Sequence, residues 1–265
     1  MPLGREWFSE KRLIGVVHLL PLPGSPRPEP LHAVAEKALG DARAIEEAGF
    51  DAVIVENFGD RPFPVYAEPI TVAAMTRIAR RLVEELDIPV GVNILRNDGV
   101  AALSVAEAAG AAFIRVNAYT ELVASGEGLL EPLARRVQLL KARLGSGVAV
   151  FADILVKHGV SLSARPGDYY HAALDAVERG LADAVIVTGP VTGEPPSPEA
   201  VREAARSGAP VLLGSGLRPG NAAMFRDYVD GAIVGTYLHR GGEWRQPVDP
   251  ERARRIVEAW RGGGV

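Results

Sequence analysis

The stretch IEEAGFDAVIVEN, residues 45–57, joins the end of an amphipathic helix, a glycine and a short apolar strand that finishes in Glu56 and Asn57. The same order of features recurs in AEAAGAAFIRVN (106–117), VERGLADAVIVTG (177–189) and FRDYVDGAIVGT (225–236). Glycine suits the C-terminal cap of a helix, and a continuous apolar run indicates a strand that is buried on both faces. The repeated unit therefore predicts parallel strands that are joined by helices.

Extending this pattern along the chain gives eight predicted strands, with helical patterns between them and after the last one. The strands are predicted near residues 13–18, 52–56, 89–94, 112–117, 148–154, 183–188, 210–214 and 231–236. Eight such units favour a single closed (β/α)8 TIM barrel over residues 1–265, with residues 1–11 as an N-terminal extension. An open Rossmann-like sheet is the alternative, although no G-x-G-x-x-G follows the first strand.

Composition and charge narrow the class of protein. The chain has 265 residues, 48% of them hydrophobic, and a net charge of −4, which argues against a nucleic-acid footprint. No apolar run approaches the ~18 residues of a membrane span, and the N-terminus lacks the apolar core of a signal peptide. There is no cysteine, and the four lysines are greatly outnumbered by arginines, a bias that is typical of thermophiles or GC-rich genomes. We therefore expect a cytoplasmic enzyme or binding protein.

Polar side chains stand at the ends of nearly all the predicted strands. Because the active site of a TIM barrel lies at the C-terminal ends of its strands, we expect these side chains to line one pocket. In chain order they are His18, Glu56, Asn57, Asn93, Arg115, Asn117, Asp153, Lys157, His158 and Thr188. Helix capping is an alternative role for the Asn and Thr residues, but it does not call for His, Glu or Lys.

Small residues follow the seventh and eighth strands, in VLLGSGL (211–217) and IVGTYL (233–238). Backbone N–H groups in such turns can approach an anion closely. The turns therefore predict a phosphate site that is formed by Gly214, Ser215, Gly216, Gly235 and Thr236. The alternative is that the glycines only permit tight turns. His239 follows shortly afterwards, either as a hydrogen-bond partner of the phosphate or as a solvated loop residue.

The segment FADILVKHGV (151–160) holds the most reactive groups. Asp153 and Lys157 are interpreted as an ion pair, or as an acid and an amine poised for proton transfer. The alternative is that Lys157 pairs with Asp153 or Glu56 and only shapes the pocket. A lysine with a depressed pKa could also form a Schiff base. The catalytic candidates are His18, Glu56, Asp153, Lys157 and His158. No cofactor is predicted; Mg²⁺ between Glu56, Asp153 and a substrate phosphate is conceivable, but no motif specifies a metal.

The segment TGPVTGEPP (188–196) follows the sixth strand. Its glycines and polar residues suit a loop that closes over a ligand, with Thr188 and Thr192 as ligand contacts beside Asn57, Asn93, Arg115 and Asn117. The other interpretation is a turn into the next helix, with Ser197 as N-cap and Pro198 at the first helical position. Trp7 and Trp260, near the two termini, are predicted to seal the bottom of the barrel or to form an oligomer contact.

Several segments together resemble the BtpA/SgcQ family over about residues 11–260. They are GVVHLLPLPGSP (15–26), VENFGD (55–60), GVNILRND (91–98), FADILVKH (151–158), TGPVTG (188–193), LLGSG (212–216), IVGTYL (233–238) and PVDPERARR (247–255). The resemblance implies a TIM barrel akin to the ribulose-phosphate-binding barrels. The candidate site residues that it carries are His18, Glu56, Asn57, Asn93, Asn117, Asp153, Lys157, His158, Thr188, Thr192, Gly214, Ser215 and Thr236.

Two functions from different classes remain open. The residues favour an enzyme that uses general acid/base chemistry on a phosphorylated sugar or nucleoside-type ligand, as an isomerase, lyase or nucleosidase. The resemblance implies both a nucleosidase branch and a branch that takes its name from photosystem I accumulation. The alternative is therefore a non-catalytic assembly factor, for which we expect an exposed apolar patch. A homo-oligomer is compatible with either function.

Overall fold

Eight parallel strands close into a barrel in this computed structural model, which describes residues 3–189, 191 and 193–262. Numbered in chain order, the barrel strands are β1 (Arg12–His18), β2 (Ala52–Glu56), β3 (Val90–Asn93), β4 (Phe113–Val116), β7 (Ala149–Ile154), β9 (Ala184–Val187), β10 (Val211–Leu213) and β11 (Gly231–Val234). Seven of these strands lie within the predicted ranges and β1 begins one residue earlier, at Arg12, so the predicted TIM barrel is confirmed. The open-sheet alternative is wrong, because β1 pairs with β2 on one side and with β11 on the other.

Helices lie between the strands, as the periodicity predicts. They are α1 (Leu31–Glu47), α2 (Pro69–Glu85), α3 (Gly99–Ala109), α4 (Ala134–Leu144), α5 (Tyr169–Leu174), α6 (Pro198–Ala205), α7 (Ala222–Arg226) and α8 (Pro250–Arg261). Gly110 ends α3 in the left-handed conformation, with φ of 78°, and its N–H bonds to the carbonyls of the last turn. Ser197 Oγ accepts from Ala200 N–H, and Pro198 begins α6, so the predicted N-cap is confirmed.

An aspartate precedes three of the barrel strands and ties each to its neighbour. Asp51 Oδ2 accepts from the N–H of Leu13 at 2.8 Å, and Asp183 Oδ2 accepts from the N–H of Val150 at 2.7 Å. Asp230 Oδ2 likewise accepts from the first N–H of β10 at 2.8 Å. These charge-assisted bonds lie at the N-terminal ends of the strands and hold the strand register there.

The lower interior of the barrel is filled with apolar side chains. Phe113 and Phe151 stack with ring centroids 4.7 Å apart, and Phe8 packs on Phe151 at 5.5 Å. Trp7 stacks on Phe151 at 6.4 Å, so the residues before β1 plug the barrel at its N-terminal end. Trp260 is buried in the outer layer, where its Nε1–H donates to the carbonyl of Lys11 at 2.8 Å.

The barrel interior changes from apolar to polar toward the C-terminal ends of the strands. Side chains in a strand alternate between its two faces, so the residue two positions further along points to the same interior. Beyond the apolar layer, this alternation supplies His18 after Val16 and Glu56 after Ile54. In the same way Arg115 follows Phe113. The strands therefore carry their polar ends into one space at the mouth.

Three short strands form a small antiparallel sheet outside the barrel, which the sequence analysis does not predict. They are β5 (Val123–Ser125), β6 (Gly128–Leu130) and β8 (Gly159–Ser161), from the segments that follow β4 and β7. Leu129 and Val160 both pair with Ala124 across this sheet, and they are 58% and 65% exposed. Strands of three residues are too short to show a period-2 pattern.

Candidate active site

A cavity of about 1130 Å³ occupies the mouth of the barrel. Eleven of the predicted site residues line it: His18, Glu56, Arg115, Asn117, Lys157, His158, Gly214, Ser215, Gly216, Gly235 and Thr236. Asn57, Asn93, Asp153 and Thr188 are buried but lie outside its lining. Thr192 lies outside the described residues. Additional lining residues that the sequence analysis missed include Phe58, Arg61, Arg96, Arg218, Trp244 and Arg252.

Asp153 is held in a buried hydrogen-bond network. Arg115 donates two hydrogen bonds to its carboxylate, from Nε to Oδ1 at 2.9 Å and from Nη2 to Oδ2 at 3.0 Å. Asn117 Nδ2 also donates to Asp153 Oδ2 at 2.9 Å, and Asn93 Nδ2 donates to Asn117 Oδ1 at 3.2 Å. The ion-pair partner of Asp153 is therefore Arg115 and not Lys157, and this geometry favours a supporting role for the carboxylate over proton transfer.

Glu56 and Lys157 face the same cavity and act on each other electrostatically. Burial raises the pKa of Glu56, because desolvation disfavours the charged carboxylate. Burial lowers the pKa of Lys157 to about 8, and the nearby Arg115 guanidinium acts in the same direction. Within the described part of the chain, neither side chain forms a hydrogen bond or an ion pair. Both groups are therefore available to a ligand and titrate closer to neutrality than usual.

His18 is locked in one tautomer by a second histidine. His239 Nδ1 lies 2.8 Å from the carbonyl of Gln246, to which only an N–H can donate. In the neutral ring, Nε2 of His239 is then an acceptor, and it lies 2.9 Å from Nδ1 of His18. His18 must therefore carry its proton on Nδ1 and present Nε2 as an acceptor. Burial lowers the pKa of both histidines, which is consistent with two neutral rings.

His239 differs from both sequence-based interpretations of it. Its side chain is fully buried, so it is not a solvated loop residue. Its ring nitrogens are both engaged by protein groups, one by Gln246 and the other by His18, so it is not free to contact a phosphate. The sequence analysis missed this pair because the two residues are 221 positions apart.

An aromatic wall stands beside His18. The ring of Phe58 lies 4.4 Å from the ring of His18, and Trp244 meets Phe58 edge-on at 5.3 Å. The guanidinium of Arg61 lies over Phe58 at 4.0 Å. His158 is at the exposed rim, where partial burial and then Lys157 lower its pKa. This side of the cavity therefore combines apolar surface with cationic groups.

The two small-residue turns that line the cavity contain several backbone N–H donors. Five N–H groups find no acceptor among the described residues: those of Ser215, Gly216, Gly235, Thr236 and Tyr237. The Ser215 hydroxyl is already engaged, since it accepts from Gly189 N–H and donates to the carbonyl of Glu194. Arg218 and Arg252 line the cavity here, and Arg252 Nε donates to the carbonyl of Tyr237 at 2.6 Å. Unpaired N–H groups beside two cations suit an anion.

The predicted ligand contacts outside the cavity lining fall into two groups. Some form hydrogen bonds within the protein, and others have buried polar atoms with no hydrogen-bond partner in the described ranges. Asn57 joins the loops after β2 and β3, because its Oδ1 accepts from Leu95 N–H and its Nδ2 donates to Asp60. The Thr188 hydroxyl and Asn93 Oδ1 are buried, and neither has a hydrogen-bond partner in the described ranges. The described residues include no group of three or more His, Asp or Glu side chains that could hold a metal ion. Nor does any described helix have the length and apolarity needed to cross a membrane.

Similarity to known proteins covers nearly the whole chain. The BtpA family matches residues 9–262. A protein of Thermococcus kodakarensis is 48% identical over 253 residues, 95% of each chain. The photosystem I biogenesis protein BtpA of Synechocystis is 42% identical over 267 residues, 99% of this chain and 92% of that one. The structure of N-(5'-phosphoribosyl)anthranilate isomerase from Pyrococcus furiosus is similar with a TM-score of 0.59 and 18% identity, over 96% of this chain and 100% of that one. The family match, together with the identities to these relatives over nearly the whole chain, shows that this chain belongs to the BtpA family.

Proposed function

We propose that this protein is an enzyme that binds a phosphorylated sugar or nucleoside-type ligand at the mouth of its barrel and acts on it by general acid/base chemistry. One observation carries the proposal. One cavity is lined at one end by five residues whose backbone N–H groups have no acceptor in the described part of the chain, and it also contains the buried Glu56 and the partly buried Lys157. The name of the Pyrococcus isomerase refers to a phosphoribosyl compound, but that likeness concerns the fold alone.

The turns after β10 and β11 are the proposed phosphate anchor. Oriented backbone N–H groups bind an oxyanion without reorganisation, and Arg218 and Arg252 add positive charge. Gly216 lines the cavity and has φ of 75°, a conformation that glycine adopts without strain. A ligand that is held here by its phosphate would extend toward the centre of the mouth.

Glu56 and Lys157 are the proposed acid/base pair. With a pKa of about 8, roughly a tenth of the Lys157 amines are neutral at pH 7, so the group can both donate and accept a proton. Glu56, with a raised pKa, can activate water or return a proton to a leaving group. Isomerisation, aldol-type cleavage and N-glycosidic hydrolysis all need such a pair. His18 Nε2 is an additional acceptor on the same wall.

Binding of ribose 5-phosphate, compared with ribose, tests the proposed function. We expect calorimetry to detect binding of the phosphorylated sugar only. Arg252→Gln should weaken that binding by about ten- to hundredfold, because a charge-assisted contact to phosphate contributes ~1.5–3 kcal/mol. Arg254→Gln is the matched control, since Arg254 is an exposed residue of α8 outside the cavity lining. Equal responses to the two sugars, or equal effects of the two variants, would contradict the proposal.

A non-catalytic assembly factor is the second candidate. The name of the Synechocystis relative motivates it, and so do the exposed apolar side chains Leu129, Val160 and Leu162 on and beside the small sheet. The buried polar set at the mouth argues for the enzyme, because a docking surface does not require it. Replacing Val160 and Leu162 by Ser distinguishes the two functions. An enzyme should keep its ligand binding, whereas an assembly factor should lose partner association.

A further inference from the structure

The side of the mouth opposite Ser215 also carries cationic side chains, which have only one long ion pair, from Arg96 to Glu127, within the described residues. We propose that this side, formed by Arg96 and Arg61, is a second anion subsite, so that the ligand carries an acidic group at each end. The ligand class is then a sugar bisphosphate or a phosphorylated sugar acid. This inference rests on the proposed function, which assigns the first anion to the turns after β10 and β11.

The barrel topology places the two subsites on opposite sides. In the closed order β1-β11-β10-β9-β7-β4-β3-β2, strand β3 is four positions from β10 in either direction. Arg96 lies in the loop after β3, and Ser215 lies in the loop after β10, so these two loops are on opposite sides of the mouth. Arg61 follows β2, next to β3. A ligand that contacts both subsites must therefore span the mouth above Glu56 and Lys157.

Arg96 is a buried cation whose ion pair, with Glu127, is long at 3.9 Å. The side chain is 8% exposed, and Nη2 donates a hydrogen bond to the carbonyl of Lys157 at 3.0 Å. Its Nε is buried with no hydrogen-bond partner among the described residues, and the nearest carboxylate oxygen, on Glu127, is 3.9 Å away. A buried guanidinium is costly unless its donors are satisfied. A ligand oxyanion would supply the missing acceptor.

Arg61 provides a second cation that lines the cavity, in the loop after β2, the strand next to β3. Its guanidinium rests on Phe58 at 4.0 Å, and it forms no ion pair with any described residue. Arg61 is exposed at the rim, so it can turn toward a ligand that has already entered. Stacking on an aromatic ring leaves the edge of the guanidinium free to bind an oxyanion in two places.

The charge of the whole cavity supports a doubly acidic ligand. Six cationic side chains line it, namely Arg61, Arg96, Arg115, Lys157, Arg218 and Arg252, against the two carboxylates of Glu56 and Glu127. Only Arg115 among these cations has a bidentate carboxylate partner in the described structure, Asp153. The chain as a whole is acidic, with a net charge of −4. Positive charge is therefore concentrated at the mouth, where it attracts anionic ligands.

Calorimetric titration with three related ligands tests the second subsite. The ligands are glucose 6-phosphate, glucose 1,6-bisphosphate and 6-phosphogluconate, which differ in the group at the far end. We expect at least one of the two doubly acidic ligands to bind tenfold more tightly than glucose 6-phosphate. The preferred one shows whether the second group is a phosphate or a carboxylate. Arg96→Gln and Arg61→Gln should each reduce this advantage to less than threefold and leave the affinity for glucose 6-phosphate within twofold.

Arg77→Gln is the matched control, because Arg77 is exposed on α2 and outside the cavity lining. If circular dichroism shows that the Arg96→Gln variant does not fold, Arg61→Gln alone tests the second subsite, since the Arg61 side chain is exposed. Binding of glucose 6-phosphate with no gain for either doubly acidic ligand overturns the second subsite and leaves the proposed function standing. Absence of binding by all three ligands overturns both.

Discussion

At the scale of single residues, Lys157 lies in the candidate site, and burial of its charged amine lowers the free energy of unfolding. The chain has four lysines, and this one lies in the mouth of the barrel, where burial lowers its pKa to about 8. Lysine in the unfolded chain protonates near 10.5. Between these two pH values the unfolded state binds more protons, so the free energy of unfolding rises with pH. Below pH 8 both states are protonated, and the folded state carries the full cost.

Lys157→Met should therefore stabilise the protein at pH 7. The shift corresponds to a cost on the order of 3 kcal/mol, and methionine keeps most of the aliphatic contact. The stability difference between variant and wild type should be largest below pH 8 and should vanish as the pH approaches 10.5. Urea denaturation at several pH values measures it. A difference that stays constant with pH would show that Lys157 is not desolvated.

At the scale of elements, glycines in a helix and in a strand should respond oppositely to the same substitution. Gly40 lies in the middle of α1, exposed, and a Cβ built there meets no atom within 4 Å. Gly91 lies in β3 beneath the ring of Phe113, and a Cβ built there would lie within about 2.2 Å of that ring. The first glycine only adds conformational freedom, whereas the second makes room for an aromatic side chain of the barrel interior.

Gly40→Ala should raise the free energy of unfolding by ~0.5–1 kcal/mol, because alanine favours the helix. Gly91→Ala should lower it by ~1–3 kcal/mol, because the barrel interior is overpacked. Thermal or urea denaturation of the two variants under the same conditions measures both changes, and each variant controls for the other. Destabilisation by Gly40→Ala would contradict the placement of that residue on the outer face of α1.

The elements themselves were largely predictable, and the exceptions have a physical cause. Strands such as β2 and β9 are apolar, short and preceded by a helix cap, and each of these signals is local. The small sheet of β5, β6 and β8 was missed because its three-residue strands show no periodicity. This sheet forms only when the segments after β4 and β7 pair with each other, and neither segment alone contains a pattern that predicts this pairing.

At the scale of the whole molecule, the two ends of the chain meet where the barrel closes. Trp260, in α8, is 1% exposed, and its indole N–H donates to the carbonyl of Lys11, one residue before β1. Strand β1 in turn pairs with β11, the last barrel strand. Packing of the final helix therefore supports the contact that closes the barrel.

Trp260→Ala should destabilise the whole barrel by ~3–5 kcal/mol, because it removes a large buried side chain and leaves a carbonyl unpaired. Trp244→Ala is the control, since Trp244 is only half-buried in the wall of the cavity. It should cost less than half as much. Urea denaturation measures both values. A small loss for Trp260→Ala would show that the last helix does not support closure.

The sequence alone determined the barrel and the residues at its mouth. Alternation along a strand and the order of helix, glycine and strand are properties of neighbouring residues, so His18, Glu56 and the small turns after β10 and β11 could be identified without coordinates. Only the tertiary structure decided how these residues combine. Arg115 and Asp153 are 38 positions apart, and His18 and His239 are 221 apart. Such pairs form when the barrel closes, because closure brings all the strand ends to one face, whereas sequence patterns report only on a residue's neighbours along the chain.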